Sequence, residues 1–259
     1  MVALPYHTAV LTVGVPYLGT VRLTAITAKD PTGERTLREV SVCGFLPSAQ
    51  LPLNHIPSSC VYNGRMAVLY VVLRKGIPAA MFMMQSKTII KSCAESGMSV
   101  EQVFTVANEK LCEGNDAGMF VTAWMGILNV KTGKVLFANA GHNPPLVKHA
   151  DGTYEYLKTR AGFVLAGMEG VRYRGNELEL APGDAIYLYT DGVTEATDLN
   201  TELYGEDRLH TVLEKYKDAA PHVICDEVKR DVDAFVGEAP QFDDITMLAL
   251  KYNGQEDAQ

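Results

Sequence analysis

The stretch DAIYLYTDGVTEATD, residues 184–198, carries the strongest structural signal in the chain. Its apolar run, Ala185–Tyr189, has strand character and ends abruptly in Thr190, Asp191 and Gly192. A carboxylate at the end of a buried strand is costly unless a hydrogen-bond donor or a cation stabilises it. Two interpretations follow: Asp191 either caps a tight turn or binds a metal ion.

A second acidic motif lies near the other end of the chain, in QFDDITMLAL, residues 241–250. Here Asp243 and Asp244 directly precede an apolar run of strand type. If this strand lies antiparallel beside the one that ends at Asp191, the carboxylates converge at one rim of a sheet. Hard cations such as Mg²⁺ and Mn²⁺ prefer such oxygen ligands. Aspartates of this kind also cap turns, so both interpretations stay open.

Composition indicates a globular protein with no membrane-spanning segment. The chain has 259 residues, of which 47% are apolar and 21% charged, which suits one large domain or a domain with an extra segment. We expect no transmembrane helix, because no apolar run reaches about 18 residues, and no signal peptide. The five cysteines are odd in number and form no CxxC pair, which indicates reduced thiols and a cytoplasmic location.

The net charge of −8 is unevenly distributed. Residues 1–94 hold nine Lys and Arg but three acids, whereas residues 95–259 hold fourteen Lys and Arg and twenty-eight acids. Residues 40–94 contain no Asp or Glu. Because the basic residues of the front half are spread out rather than clustered, we predict no nucleic-acid partner.

The order of elements predicts an α+β protein with sheets packed between helical layers. Short β-like segments in residues 1–60 precede a buried strand, RMAVLYVVL, and the helix IPAAMFMMQSKTIIKSCAES. A second helix begins at Ser99, with Gln102 at the spacing of a capping box. A β meander, two amphipathic helices and a closing strand follow. Trp124 and the methionines Met81, Met83 and Met84 are predicted to pack in the core.

A histidine follows one strand of the predicted meander, in ANAGHNPPLV, residues 138–147. His142 could act as a general acid or as a metal ligand. More often, however, a Gly-His-Asn-Pro run forms a tight turn whose polar side chains satisfy the backbone. The residues alone therefore favour the turn.

The chain resembles the SpoIIE-type branch of the metal-dependent PPM protein phosphatases from about Arg65 to Tyr252. Three blocks carry the resemblance: MFVTAWMGILNVKTGKVLFANAGHNPPLV, LYTDGVTEATD and QFDDITMLAL. The resemblance implies a four-layer α-β-β-α sandwich. It divides the chain into an atypical N-terminal segment at 1–60, a phosphatase domain at 61–252 and a polar tail at 253–259.

The resemblance also implies an activity and a set of site residues. Similar proteins remove phosphate from phosphoserine or phosphothreonine on small regulatory proteins, often antagonists of an anti-sigma factor, and use two Mn²⁺ or Mg²⁺ ions. Asp191 matches the metal-binding acid of the family's TDG motif, and Gly192 lets the backbone turn close to the ion. Asp243 matches the first acid of the closing DD motif, Asp244 lies beside it, and His142 matches a motif histidine.

The chain departs from the family pattern where the other metal-binding acids are expected. The family has an acid before VSGKG and PAA, whereas this chain reads YVVLRKGIPAA and has Val71 at the position of the acid. The family's GGDFYD should lie in residues 45–62, which read FLPSAQLPLNHIPSSCVY. Three hypotheses remain: an active phosphatase with unusual ligands, a pseudophosphatase that binds without turnover, or a reading frame shifted upstream of Lys75. If residues 1–60 leave a sheet edge exposed, we expect two copies to pair as a homodimer.

Overall fold

The fold is taken from a computed structural model of the chain. The backbone is described for residues 10–11, 21–24, 41–45, 58–62, 65–72, 77–129, 131–239 and 245–254, and side chains for 81–129, 131–239 and 245–254. Asp243 and Asp244 therefore lie outside the described residues.

Two antiparallel sheets form the centre of the molecule. The first, sheet A, has the strand order β1-β4-β5-β6-β7-β10, and the second, sheet B, has the order β2-β3-β12-β11-β8-β9. The strands of sheet A are β1 (Val10–Leu11), β4 (Ser58–Tyr62), β5 (Arg65–Val72), β6 (Thr122–Asn129), β7 (Lys134–Ala140) and β10 (Asn176–Glu179). The strands of sheet B are β2 (Val21–Thr24), β3 (Ser41–Phe45), β8 (Leu146–Lys148), β9 (Tyr154–Tyr156), β11 (Ala185–Tyr189) and β12 (Met247–Lys251).

Helices cover the outer face of each sheet. Their bounds are α1 (Ile77–Glu95), α2 (Val100–Cys112), α3 (Asp191–Thr194), α4 (Glu206–Lys215) and α5 (Pro221–Val236). One apolar cluster joins α1 and α2 to sheet A, and a second joins α4 and α5 to sheet B. A third, which includes Trp124, Phe137 and Leu188, lies between the sheets. These three cores make the predicted four-layer α-β-β-α sandwich and confirm the α+β class.

Several local predictions are confirmed. The Ser99 N–H donates to Gln102 Oε1 at 3.1 Å, as the capping box requires. The turn between β6 and β7 closes with the Gly133 N–H donating to the Asn129 carbonyl at 2.9 Å. Sheet A and sheet B each contain strands from before and after residue 60. The division of the chain into domains at that residue stays a prediction. No helix of the described ranges is long and apolar enough to cross a membrane.

The prediction that all three methionines of α1 pack in the core is wrong for two of them. Met83 is 1% exposed, but Met81 and Met84 are 68% and 63% exposed. A helix on the surface of a sheet buries one stripe of side chains, so adjacent methionines cannot all face inward. Trp124 is buried, as predicted.

A segment that the sequence did not signal, residues 164–173, is fixed by side-chain amides to α2 and to the turn that follows it. Asn108 is fully buried, and its Oδ1 accepts the Ala166 N–H at 2.9 Å while its Nδ2 donates to the Met168 carbonyl at 2.9 Å. Asn115 Nδ2 donates to the Ala166 carbonyl at 3.2 Å. Both backbone polar groups of Ala166 are therefore held by side chains.

These bonds hold Ala166 at φ 62°, the left-handed region that disfavours a Cβ. We expect Ala166→Gly to lower the free energy of unfolding by about 1–2 kcal/mol less than Ala138→Gly does, since both variants lose a buried methyl group but only Ala166→Gly relieves left-handed strain. Thermal or urea unfolding measures this. Ala138→Gly in β7, where φ is not positive, is the control and should destabilise. Equal losses of stability in Ala166→Gly and Ala138→Gly would show that the backbone at Ala166 is not strained.

Candidate metal centre

Asp191 lies where β11 ends and α3 begins. Thr190 is still extended, with φ −89° and ψ 161°, and Asp191 is the first helical residue. The Gly192 N–H donates to Asp191 Oδ1 at 2.9 Å, and the Glu195 N–H donates to the Asp191 carbonyl at 2.7 Å. Gly192 is buried and Asp191 half-buried. One carboxylate oxygen of Asp191 therefore accepts a hydrogen bond within the turn, and this bond fixes the direction of the Asp191 side chain.

The antiparallel pairing of the two acid-bearing strands, which the metal interpretation requires as a condition, is present. In the register of β11 and β12, Tyr189 lies opposite Met247. The pairing continues one residue further, because the Thr190 N–H donates to the Thr246 carbonyl at 3.0 Å. The backbone at Asp191 therefore lies at the same rim of sheet B as Ile245 and Thr246. Asp243 and Asp244 precede Ile245 in the sequence but lie outside the described residues, and their approach to Asp191 stays a prediction.

The loop that ends at Gly205 is hydrogen-bonded to the C-terminal end of α3. The Tyr204 N–H donates to the Ala196 carbonyl at 2.8 Å, and the Gly205 N–H donates to the Thr194 carbonyl at 2.9 Å. The loop is anchored on α5, where Asp231 Oδ2 accepts hydrogen bonds from Tyr204 Oη and Arg208 Nε, each at 2.8 Å. Burial alone would raise the pKa of Asp231, but these bonds hold it below its ordinary value.

Two tyrosines lie on the helix-facing side of this strand end. Tyr189 Oη donates to Tyr156 Oη at 3.5 Å. Burial is the largest cause that raises the pKa of both phenols above their usual value. Both phenols are therefore neutral at pH 7 and add no charge to this end of the sheet.

His142 lies in a tight turn after β7. Its backbone N–H donates to Asn139 Oδ1 at 2.8 Å, and Asn139 Nδ2 donates to its carbonyl at 2.9 Å. Gly141 has φ 72°, and a Cβ there would approach Val164 Cγ1 to 2.7 Å. The turn interpretation accounts for this sequence motif, with Asn139 as the residue that satisfies the backbone. A catalytic or ligand role for the buried His142 ring stays a prediction.

The other expected metal-binding position lies on β5. Val71, which occupies the place of the family's acid, is in register with Ala123 of β6. Within the described residues, no three or more His, Cys, Asp or Glu side chains form a group that could hold a metal ion. Of the two predicted carboxylate ligands, Asp191 lies in the described part of the chain, and its role as a metal ligand stays a prediction.

Two antiparallel sheets between helical layers, with an aspartate at the end of a central strand, define the PPM class of phosphatase folds. The structure of the RsbU and RsbW domains of Rv1364c from Mycobacterium tuberculosis matches with a TM-score of 0.71 and 18% identity, over 84% of this chain and 62% of that one. The catalytic domain of the serine/threonine phosphatase PstP, in complex with two manganese ions, matches with a TM-score of 0.55 and 13% identity, over 82% of this chain and 97% of that one.

Sequence comparison narrows the class to one family. The profile of the family described as Stage II sporulation protein E (SpoIIE) matches residues 72–253. The phosphoserine phosphatase RsbU of Bacillus subtilis is 30% identical over 183 residues, which are 70% of this chain and 53% of RsbU. The chain belongs to the SpoIIE family, and it spans about half the length of RsbU.

Proposed function

We propose that the chain is a metal-dependent phosphatase that hydrolyses phosphoserine or phosphothreonine on a regulatory protein. The observation that carries the proposal is the pairing of β11 with β12, which brings Asp191 to the rim where Asp243 and Asp244 precede β12. Carboxylates from two distant parts of the chain would then face one small volume. Such clusters are costly without a cation, which is why they mark metal sites.

The donor set fits one divalent ion. Asp191 and Asp243 would hold it through carboxylate oxygens, with waters completing the shell, as Mg²⁺ and Mn²⁺ prefer. The second ion of the family would need further acids, and residues 40–94 supply none. We therefore assign Asp191 and Asp243 to a single divalent ion.

Residues of this chain would place the carboxylates that hold the ion. When bound, Mn²⁺ or Mg²⁺ would acidify a water and neutralise charge on the phosphoryl oxygens. Gly192 fixes the Asp191 carboxylate through its N–H and, having no Cβ, leaves room beside it. Asp244 would orient Asp243 or hold a metal-bound water.

The substrate assignment is supported by the relatives. RsbU is a phosphoserine phosphatase, and the Rv1364c structure holds an RsbU domain together with an RsbW domain. A phosphorylated regulatory protein, similar to an anti-sigma factor antagonist, is therefore the substrate class we assign. A cytoplasmic location and a homodimer remain predictions.

Titration of the whole chain with MnCl₂ in a calorimeter, beside a phosphatase assay on p-nitrophenyl phosphate and a phosphoserine peptide, tests the proposal. We expect binding of one Mn²⁺ per chain and turnover that EDTA removes. A folded chain that binds no Mn²⁺ and shows no turnover would overturn it. The EDTA-treated chain, checked by circular dichroism, is the control for folding.

The absence of Asp and Glu from residues 40–94 favours a second candidate, a pseudophosphatase that binds a phosphorylated partner without hydrolysis. It predicts that the chain retains a phosphoserine protein on a column and releases it still phosphorylated. Release of inorganic phosphate in the same experiment favours the enzyme.

A further inference from the structure

The residue before Asp191 has an unusual place in the hydrogen-bond ladder. Residues directly opposite in an antiparallel pair often exchange two backbone N–H···O=C bonds. The Thr190 N–H makes its half of this exchange, donating to the Thr246 carbonyl at 3.0 Å. The Thr246 N–H, however, donates to the side-chain Oγ1 of Thr190, also at 3.0 Å. The hydroxyl oxygen thus takes the role that a backbone carbonyl has in a regular ladder.

This exchange leaves the Thr190 carbonyl available for α3. It accepts the Val193 N–H at 3.0 Å, the bond that starts the turn containing Asp191. Thr190 therefore continues the pairing of β11 with β12 through its N–H and hydroxyl groups, and its carbonyl accepts the first hydrogen bond of α3. Thr190 and Thr246 are both fully buried, so water cannot readily replace any of these bonds.

We propose that Thr190 is a positioning residue for the metal centre, an inference that rests on the proposed function. Its hydroxyl sets where β11 stops and so fixes the place of Asp191. The same hydroxyl holds the Thr246 backbone, two residues from Asp244. One side chain thereby joins both acid-bearing segments. Without it, the buried Thr246 N–H competes for the Thr190 carbonyl, and the turn at Asp191 opens.

Three variants of the full chain test this inference. Thr190→Val keeps the shape and removes the hydroxyl, and Thr190→Ser keeps the hydroxyl. Thr246→Val is the matched control, because it removes the buried hydroxyl of the same pair but keeps both backbone groups that bond Thr190. Two quantities are measured: amide hydrogen exchange of Val193 and Glu195 relative to Leu188 within β11, and the affinity for Mn²⁺ by calorimetry.

In Thr190→Val we expect the Val193 and Glu195 amides to exchange at least about tenfold faster relative to Leu188, and Mn²⁺ to bind about tenfold more weakly. Thr190→Ser and Thr246→Val should keep both values within about threefold of wild type. Unchanged exchange at Val193 in Thr190→Val, or an equal change in Thr246→Val, would overturn the role of Thr190. If the wild-type chain binds no Mn²⁺, the proposed function fails, while the exchange data still decide whether Thr190 fixes the turn.

Discussion

Replacement of Asp191 by asparagine should lower Mn²⁺-dependent phosphatase activity at least about a hundredfold, because the ion's stabilisation of the transition state is worth several kcal/mol. Asparagine has the same shape, and its carbonyl can still accept the Gly192 N–H. The change therefore removes a negative charge from the metal site and leaves the turn intact. We expect the melting temperature to stay nearly constant while activity and Mn²⁺ affinity fall.

The control for Asp191→Asn is Asp207→Asn, an equal loss of charge at an exposed residue of the first turn of α4. It should retain wild-type activity and Mn²⁺ affinity. Retention of more than half of the wild-type turnover in Asp191→Asn would show that this carboxylate holds no catalytic ion. Steady-state assays at saturating MnCl₂, followed by calorimetry, separate the loss of binding from the loss of chemistry.

Replacement of Asn108 by alanine should reduce the free energy of unfolding by about 2–4 kcal/mol. The side chain is fully buried and bonds the Ala166 N–H and the Met168 carbonyl, and it also accepts the Tyr173 hydroxyl at 3.3 Å. Its removal leaves the Ala166 N–H and the Met168 carbonyl without these bonds and opens a cavity, while the Tyr173 hydroxyl keeps its bond to the Val164 carbonyl at 3.2 Å. Urea unfolding monitored by the fluorescence of Trp124 measures the change.

Two further variants show whether hydrogen bonds or volume cause the loss at Asn108. Asn108→Leu refills the space with apolar atoms but makes none of the bonds, so we expect it to remain destabilised by about 2 kcal/mol or more. Asn176→Ala removes a partly exposed amide of β10 and should change stability by about 0.5 kcal/mol or less. Wild-type stability in Asn108→Leu would contradict the role of the amide.

The features that the sequence predicted have local signals. The apolar run before Asp191 and the Ser99 capping box each depend on residues within a few positions of one another. Such features can be recognised directly from the hydrophobic periodicity and the capping residues of the sequence. The pairing of β11 with β12 entered only as a condition of the metal interpretation, because two acids at opposite strand ends can share a rim without a local signal that fixes the pairing.

The features that the sequence did not predict depend on distant partners. The Asn108 amide meets Ala166 and Met168, which lie 58 and 60 positions later. A buried asparagine in a helix has no local signature that distinguishes it from an exposed one. The role of Thr190 was missed for the same reason, since its partner Thr246 is 56 positions away. The meeting of Asp191 with Asp243 lies beyond the described residues and stays a prediction.

The central place of β12 in sheet B has a consequence for how the protein is made. β12 pairs with β3 on one side and with β11 on the other, and its register with β3 joins residues about 200 positions apart. During translation, β3 can pair with β2 and β11 can pair with β8, but the other edge of each strand stays unpaired until the segment at Met247 leaves the ribosome. Such long-range closure is slow, and the unpaired edges are prone to intermolecular pairing. Nascent chains should therefore depend on chaperones until β12 has been synthesised.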